Sequence, residues 1–139
     1  MNDHASMGWR VLLCAFLLGT CGCGADQPEM GRVRGKVTLG GVPLTSGSVI
    51  SYPESGRGAS GAIQSDGTFE LETNEYGKGA VVGKHRLTVL AYNGDPTAAF
   101  ESDQVRLAVP HKYTQPDSSG LSVVVSAGKE ELVTLALAK

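Results

Sequence analysis

The stretch Ser65-Asp66-Gly67-Thr68-Phe69-Glu70-Leu71-Glu72-Thr73 decides the fold class. Aspartate tolerates and glycine favours the positive φ of a tight two-residue turn, so Asp66-Gly67 predicts a hairpin. The residues after it alternate, with Phe69 and Leu71 on one side and Thr68, Glu70 and Glu72 on the other. A period of two with one apolar side is the pattern of a half-buried strand. Asp66 has no Asp-x-Asp-x-Asp ladder around it, so backbone geometry rather than calcium chemistry accounts for it.

The same alternation recurs on both sides. Val33, Gly35, Val37 and Leu39 face one way and Arg32, Arg34, Lys36 and Thr38 the other, until Gly40-Gly41 and Pro43 end the run. The basic row reads as a solvated outer face. Ser48–Tyr52 is a second strand, Ala59–Ser65 a weaker one of small residues, and Lys84–Tyr92 a strong one with Leu87, Val89 and Ala91 on one side. Val105–Val109, Leu121–Ser126 and Val133–Leu137 complete the set. Between them lie loops at 54–58, 74–79, 93–104 and 111–120. Nowhere does an apolar period of 3.6 persist for three turns. Seven or eight short strands separated by turns predict an all-β sandwich or barrel.

The chain has 139 residues, including 19 glycines and 6 prolines against 6% aromatics, which suits one turn-rich domain. A formal charge of −2 gives no basic field for nucleic acid. Cys14, Cys21 and Cys23 are the only cysteines, so the remainder has no disulfide, thiolate nucleophile or cysteine zinc site. Its core must hold it unaided.

Arg10, the apolar run Val11–Leu18 and the small-residue exit through Gly22 describe a secretory signal at 1–22. The apolar run is shorter than the roughly 20 residues of a membrane span. Cys23 follows Gly22, and Cys21 follows Thr20 with Leu18 three residues before it. This exit resembles a bacterial lipoprotein signal. The resemblance implies lipidation of Cys23, with Cys21 as the alternative, and an exported protein held to a membrane of the cell envelope. Glycine rather than aspartate follows either cysteine, which points to the outer membrane. Residues 23–31 then read as a flexible tether and 32–139 as the domain.

Val33-Arg34-Gly35-Lys36-Val37-Thr38-Leu39, Gly41-Val42-Pro43-Leu44, Gly47-Ser48-Val49, Asp66-Gly67-Thr68-Phe69 and Gly83-Lys84-His85-Arg86-Leu87-Thr88-Val89 follow one another in order. This series resembles the carboxypeptidase regulatory-like, transthyretin-like domains. Val109-Pro110-His111-Lys112-Tyr113 followed by Ser119-Gly120-Leu121 is similar to small single-domain bacterial lipoproteins of that kind. The resemblance implies a seven-stranded Greek-key sandwich without known catalysis. Fold alone supplies no function.

Candidate chemistry is sparse. Past the signal the histidines are His85, in a strand, and His111, in a loop with Lys112, Tyr113, Asp117 and Ser118. Two histidines without spaced carboxylates do not form a metal ligand set, and no Gly-x-Ser-x-Gly elbow supports a Ser/His/Asp triad. The 5-hydroxyisourate hydrolases, which share the transthyretin fold, end in Tyr-Arg-Gly-Ser, whereas this chain ends Leu135-Ala136-Leu137-Ala138-Lys139. No catalytic residue, metal or cofactor is therefore expected. The candidate binding residues are Tyr76, Tyr92, Phe100, His111 and Tyr113. Loops 54–58, 74–79 and 93–104 are the candidate contact surface for an envelope protein, peptide or polysaccharide.

Overall fold

The computed structural model describes residues 26–93 and 106–139. They form two facing β-sheets around one apolar core, a β-sandwich. The first sheet is built on β1 (Met30–Leu39), the longest strand, whose two edges are used differently. Along one edge β13 (Glu130–Leu137) runs parallel, from Arg32↔Glu130 to Leu39↔Leu137. Along the other, three short antiparallel strands follow one another: β8 (Ala80–Val81) at Met30–Gly31, β5 (Thr68–Glu70) at Arg34–Lys36 and β2 (Val42–Pro43) at Thr38–Leu39. The second sheet contains β12 (Leu121–Val125), β9 (Gly83–Leu90), β3 (Ser48–Pro53), β4 (Ala59–Ala62), β6 (Glu72–Thr73) and β7 (Gly77–Lys78), in that spatial order. A small ribbon, β10 (Tyr92–Asn93) with β11 (Arg106–Leu107), extends beyond β9.

The side-chain alternation read from sequence sets the core. Val33 and Val37 of β1, Val49 of β3, Leu87 and Val89 of β9, Val123 and Val125 of β12 and Leu135 and Leu137 of β13 all point between the sheets. Two contiguous inner faces of β-branched and leucine side chains suffice to drive the sheets together. Thr88 departs from the pattern: it lies on the outward parity of β9, yet is fully buried. Among the described residues its hydroxyl has no hydrogen-bond partner.

The tight turn differs from expectation. Only Gly67 takes a positive φ, 84°, whereas Asp66 does not. Gly67 N–H donates to the Gln64 carbonyl and Gln64 N–H to the Thr68 carbonyl, so the turn spans Gln64–Gly67 and glycine closes it. Nor do the flanking strands pair as a simple hairpin: β4 belongs to the second sheet and β5 to the first. The run 68–73 itself bends at fully buried Leu71, where the chain passes from β5 in one sheet to β6 in the other. Leu71 N–H donates to the Val33 carbonyl, and its own carbonyl accepts from Gly79 N–H. One bent strand thereby joins the sheets along that side. β1 also begins at Met30, so the last two residues of the expected tether are paired into the sheet.

Asp66 keeps a local role. Its Oδ1 accepts from the Thr68 hydroxyl at 2.6 Å and from Thr68 N–H at 3.0 Å. These bonds, the hydroxyl one first, hold the carboxyl below the ordinary aspartate range. A carboxyl lowered on folding adds stability above its unfolded value, about 3.9, and loses that contribution as pH falls through the folded value. We expect the urea midpoint to drop as pH falls from 5 through the carboxylate range, and to drop less in Asp66→Asn. Identical pH profiles would show that Asp66 is not coupled to folding.

Candidate binding surfaces

Strand directions sort the loops. β3 and β9 run antiparallel, with Pro53 beside His85 at one end and Ser48 beside Leu90 at the other. The first end carries loop 54–58, the β6–β7 turn and the turn before β13. It also carries the start of β1, since Met30 pairs with Val81 and the Met30 carbonyl accepts from Gly128 N–H. The second end carries the Asp66 turn, the β10–β11 ribbon and the chain terminus. Tyr76 therefore lies at the first end and Tyr92 at the second, roughly 20 Å apart along the strands. Loops 54–58 and 74–79 come together, but they share no contact surface with Tyr92. Phe100 and most of loop 93–104, like Cys21 and Cys23, lie outside the described residues.

At the first end Arg57 sits 5.7 Å from the Tyr76 ring centroid and pairs with Glu75 at 2.9 Å. Both partners of that ion pair are half exposed, so its contribution to stability is small. Thr73 to Tyr76 form a turn closed by Tyr76 N–H to the Thr73 carbonyl, with Glu75 at φ 71°. Glu75 is the sole non-glycine residue with positive φ among those described, a position costing about 1–2 kcal/mol for an L-residue. Beside it a polar groove of about 810 Å³ is lined by Gly58, Ser60, Ala62, Glu72, Asn74 and Glu75.

At the second end Tyr92 and Leu107 are direct cross-strand neighbours, exposed by 46% and 36%. Adjacent exposed apolar side chains of this size invite a partner more than scattered ones do. Ala108 N–H donates to the Ala91 carbonyl, and exposed His111 begins a short 3-10 turn, His111–Thr114, three residues later. Among the described residues no three His, Cys, Asp or Glu side chains gather as metal ligands. Ser118 donates its hydroxyl to the Lys112 carbonyl, and Asp117 pairs with Arg86, so neither is directed at His111.

Of the candidate binding rings, Tyr113 takes the packing role. It is buried in the core cluster, and its hydroxyl oxygen accepts from Ala138 N–H at 2.9 Å. That bond, foremost, holds the phenol below its ordinary range. Lys112 lies over the ring face at 4.7 Å. Tyr113 thus pins the 111–114 turn to the end of β13. In the sequence Tyr113 is the one large apolar group in an otherwise polar run, where a packing ring and a contact ring read alike.

His85 is the other buried ring. Its Nε2 lies 2.7 Å from the Val81 carbonyl, which can only accept, so Nε2 carries the proton. Nδ1 then accepts from the Ser51 hydroxyl at 3.2 Å, and Ser51 Oγ accepts from Ala59 N–H at 3.0 Å. Every polar atom of the Ser51–His85 pair is used within the fold, and both residues are shut from solvent.

No family model matches this chain, and no curated protein does. Among solved structures it is similar to a DUF3823 family protein from Parabacteroides merdae ATCC 43184, with 20% identity and a TM-score of 0.45. The match covers 80% of this chain and 47% of that one, so this chain spans about half its length.

Proposed function

We propose that this chain is a non-catalytic exported lipoprotein, a transthyretin-like sandwich lipidated on Cys23, with Cys21 as the alternative. It is tethered to the outer membrane of a bacterial envelope and binds a partner at its far end. The exposed Tyr92–Leu107 pair, at the opposite end from the start of β1, is the observation that carries this reading. Six residues lie between Cys23 and Met30, a reach of at most about 25 Å. An anchor there holds the Tyr76 end toward the bilayer and leaves the ribbon and His111 facing away. The ordered series from Val33 to Val89 supports the family reading. A second reading, an accessory module for carbohydrate or peptide, draws on the Tyr76 ring beside the polar groove.

Labelling of cells with palmitate tests the anchor. Label is expected on the wild-type chain and lost when both Cys21 and Cys23 become Ser; label persisting in that double variant refutes the anchor. Cross-linking capture from the envelope tests the far end. Tyr92→Ala with Leu107→Ser is expected to remove captured partners, whereas capture sensitive to Tyr76→Ala instead supports the accessory-module reading.

A further inference from the structure

The outer edge of β13 is open. Arg32 N–H donates to the Lys129 carbonyl and Gly40 N–H to the Leu137 carbonyl, at the two ends of the parallel ladder. Steps of two between them turn the odd-numbered residues of β13 toward β1. The even-numbered ones, Glu130, Leu132, Thr134 and Ala136, turn N–H and C=O away from it. Ala138 obeys the same parity, since its N–H is donated to Tyr113 and not to β1. Among the described residues no strand pairs with this edge.

Exposed edges are normally defended by charge, proline or a bulge. Leu132-Val133-Thr134-Leu135-Ala136-Leu137 contains no charge, proline or glycine; charges stand only beyond its ends, Glu130-Glu131 before it and Lys139 after it. Leu132 is 80% exposed, the highest value among the exposed large apolar side chains of the described residues. A strand with these features has the backbone and side-chain chemistry to accept another strand.

We propose that this edge is a self-association surface, on which a second copy adds its β13 antiparallel about a twofold axis at Leu132. Antiparallel addition must match outward residues with outward residues, and an axis at Leu132 does so throughout. Leu132 meets Leu132 of the second copy, covering the most exposed aliphatic group with its own equivalent. Glu130 falls opposite Thr134 of the second copy, with no like charges opposed. That Thr134 is the register partner of Lys36, so Glu130 lies about two strand spacings, roughly 10 Å, from Lys36 of the second copy. Lys36 makes no ion pair among the described residues. An axis at Thr134 would instead bring Glu130 to Ala138, whose N–H Tyr113 already holds. Backbone parity, apolar cover and charge are all supplied by the chain itself, which is why a second copy is the occupant. An isologous interface of this kind closes and does not propagate.

The test uses the full chain in detergent with Cys14, Cys21 and Cys23 changed to Ser. Sedimentation is expected to give twice the monomer mass, falling to monomer on dilution. Adding Leu132→Cys should give a disulfide dimer on mild oxidation, because directly opposed residues lie within disulfide reach. Ala136→Cys should not, since its two copies would be about 27 Å apart. Thr134→Pro removes an outward N–H and leaves the β1 ladder intact, so it should weaken the dimer at least tenfold with an unchanged circular dichroism spectrum. Should that variant unfold, Leu132→Lys keeps the test, placing like charges on the axis at an exposed site. A monomer at about 1 mM overturns the proposal. So does a dimer indifferent to Leu132→Lys, equal cross-linking through Ala136→Cys, or a monomer that pairs through this edge only with an unrelated protein.

Discussion

Gly35→Ala is expected to lower stability by about 3 kcal/mol or more. Gly35 stands in the middle of β1, between β13 on one side and β5 on the other. Its register partner on β5 is Phe69, whose ring lies where a side chain would be: a Cβ would sit 2.8 Å from Cε1 and Cζ. The same Cβ would overlap the Val133 carbonyl oxygen of β13. A ring can swing aside, but a ladder carbonyl can move only with its strand. Phe69 covering a strand glycine also shields backbone that glycine leaves bare. Gly41→Ala is the comparison. Gly41 has φ 84° but nothing within 4 Å of the added carbon, so it carries only the backbone penalty, about 1 kcal/mol. Thermal unfolding should therefore drop by about 10–20 °C for Gly35→Ala and by a few degrees for Gly41→Ala. Equal shifts would mean that Phe69 and Val133 do not crowd Gly35.

That crowding shows what the sequence could and could not disclose. Alternation in Val33–Leu39, Leu87–Ala91 and Val133–Leu137 gave the inward faces correctly, because a period of two is written residue by residue. It says nothing about which strand lies alongside. The parallel pairing of β1 with β13 joins residues 98 positions apart, from Arg32↔Glu130 to Leu39↔Leu137. Sequence spacing gives no sign of such a partner, and Gly35 reads only as one position of the alternating row Val33, Gly35, Val37, Leu39 until Val133 and Phe69 stand beside it. The bend at Leu71 was equally hidden, since Phe69 and Leu71 keep strict alternation while the chain changes sheets. The Asp66-Gly67 turn was located correctly, but its geometry depended on Gln64 and Thr68 closing around it.

The candidate site was less legible than the fold for a related reason. Tyr76, Tyr92 and Tyr113 look alike in a list of loop aromatics. Successive strands reverse direction, so loops close in sequence can emerge at opposite ends, as Tyr76 and Tyr92 do. Whether a ring is a contact or a packing residue depends on a partner elsewhere. For Tyr113 that partner is Ala138, 25 residues later. Composition could say that rings were available; only the topology assigns Tyr92 to an exposed ribbon beside Leu107.

His85→Leu is expected to cost about 3 kcal/mol, and the reason also bears on function. The substitution retains an apolar body of similar size but leaves the Val81 carbonyl without its donor and the Ser51 hydroxyl without its acceptor. A buried group left unpaired costs about 1–3 kcal/mol. Ser51→Ala should cost about 2 kcal/mol, because Ala59 N–H and His85 Nδ1 then lose their shared partner. The double variant, His85→Leu with Ser51→Ala, should cost clearly less than the two added together, since each single change strands an atom that the other removes. Urea unfolding of the four proteins measures this directly. A histidine and serine within hydrogen-bond distance could be mistaken for a nucleophile and its base. In that role they would be reachable by substrate, and their replacement would leave folding nearly untouched while abolishing a reaction. Here both are buried, Ser51 on β3 and His85 on β9, and Ser51 Oγ is committed to Ala59 as well as to His85. Additive, small stability losses in the cycle would contradict the structural role and reopen the chemical one.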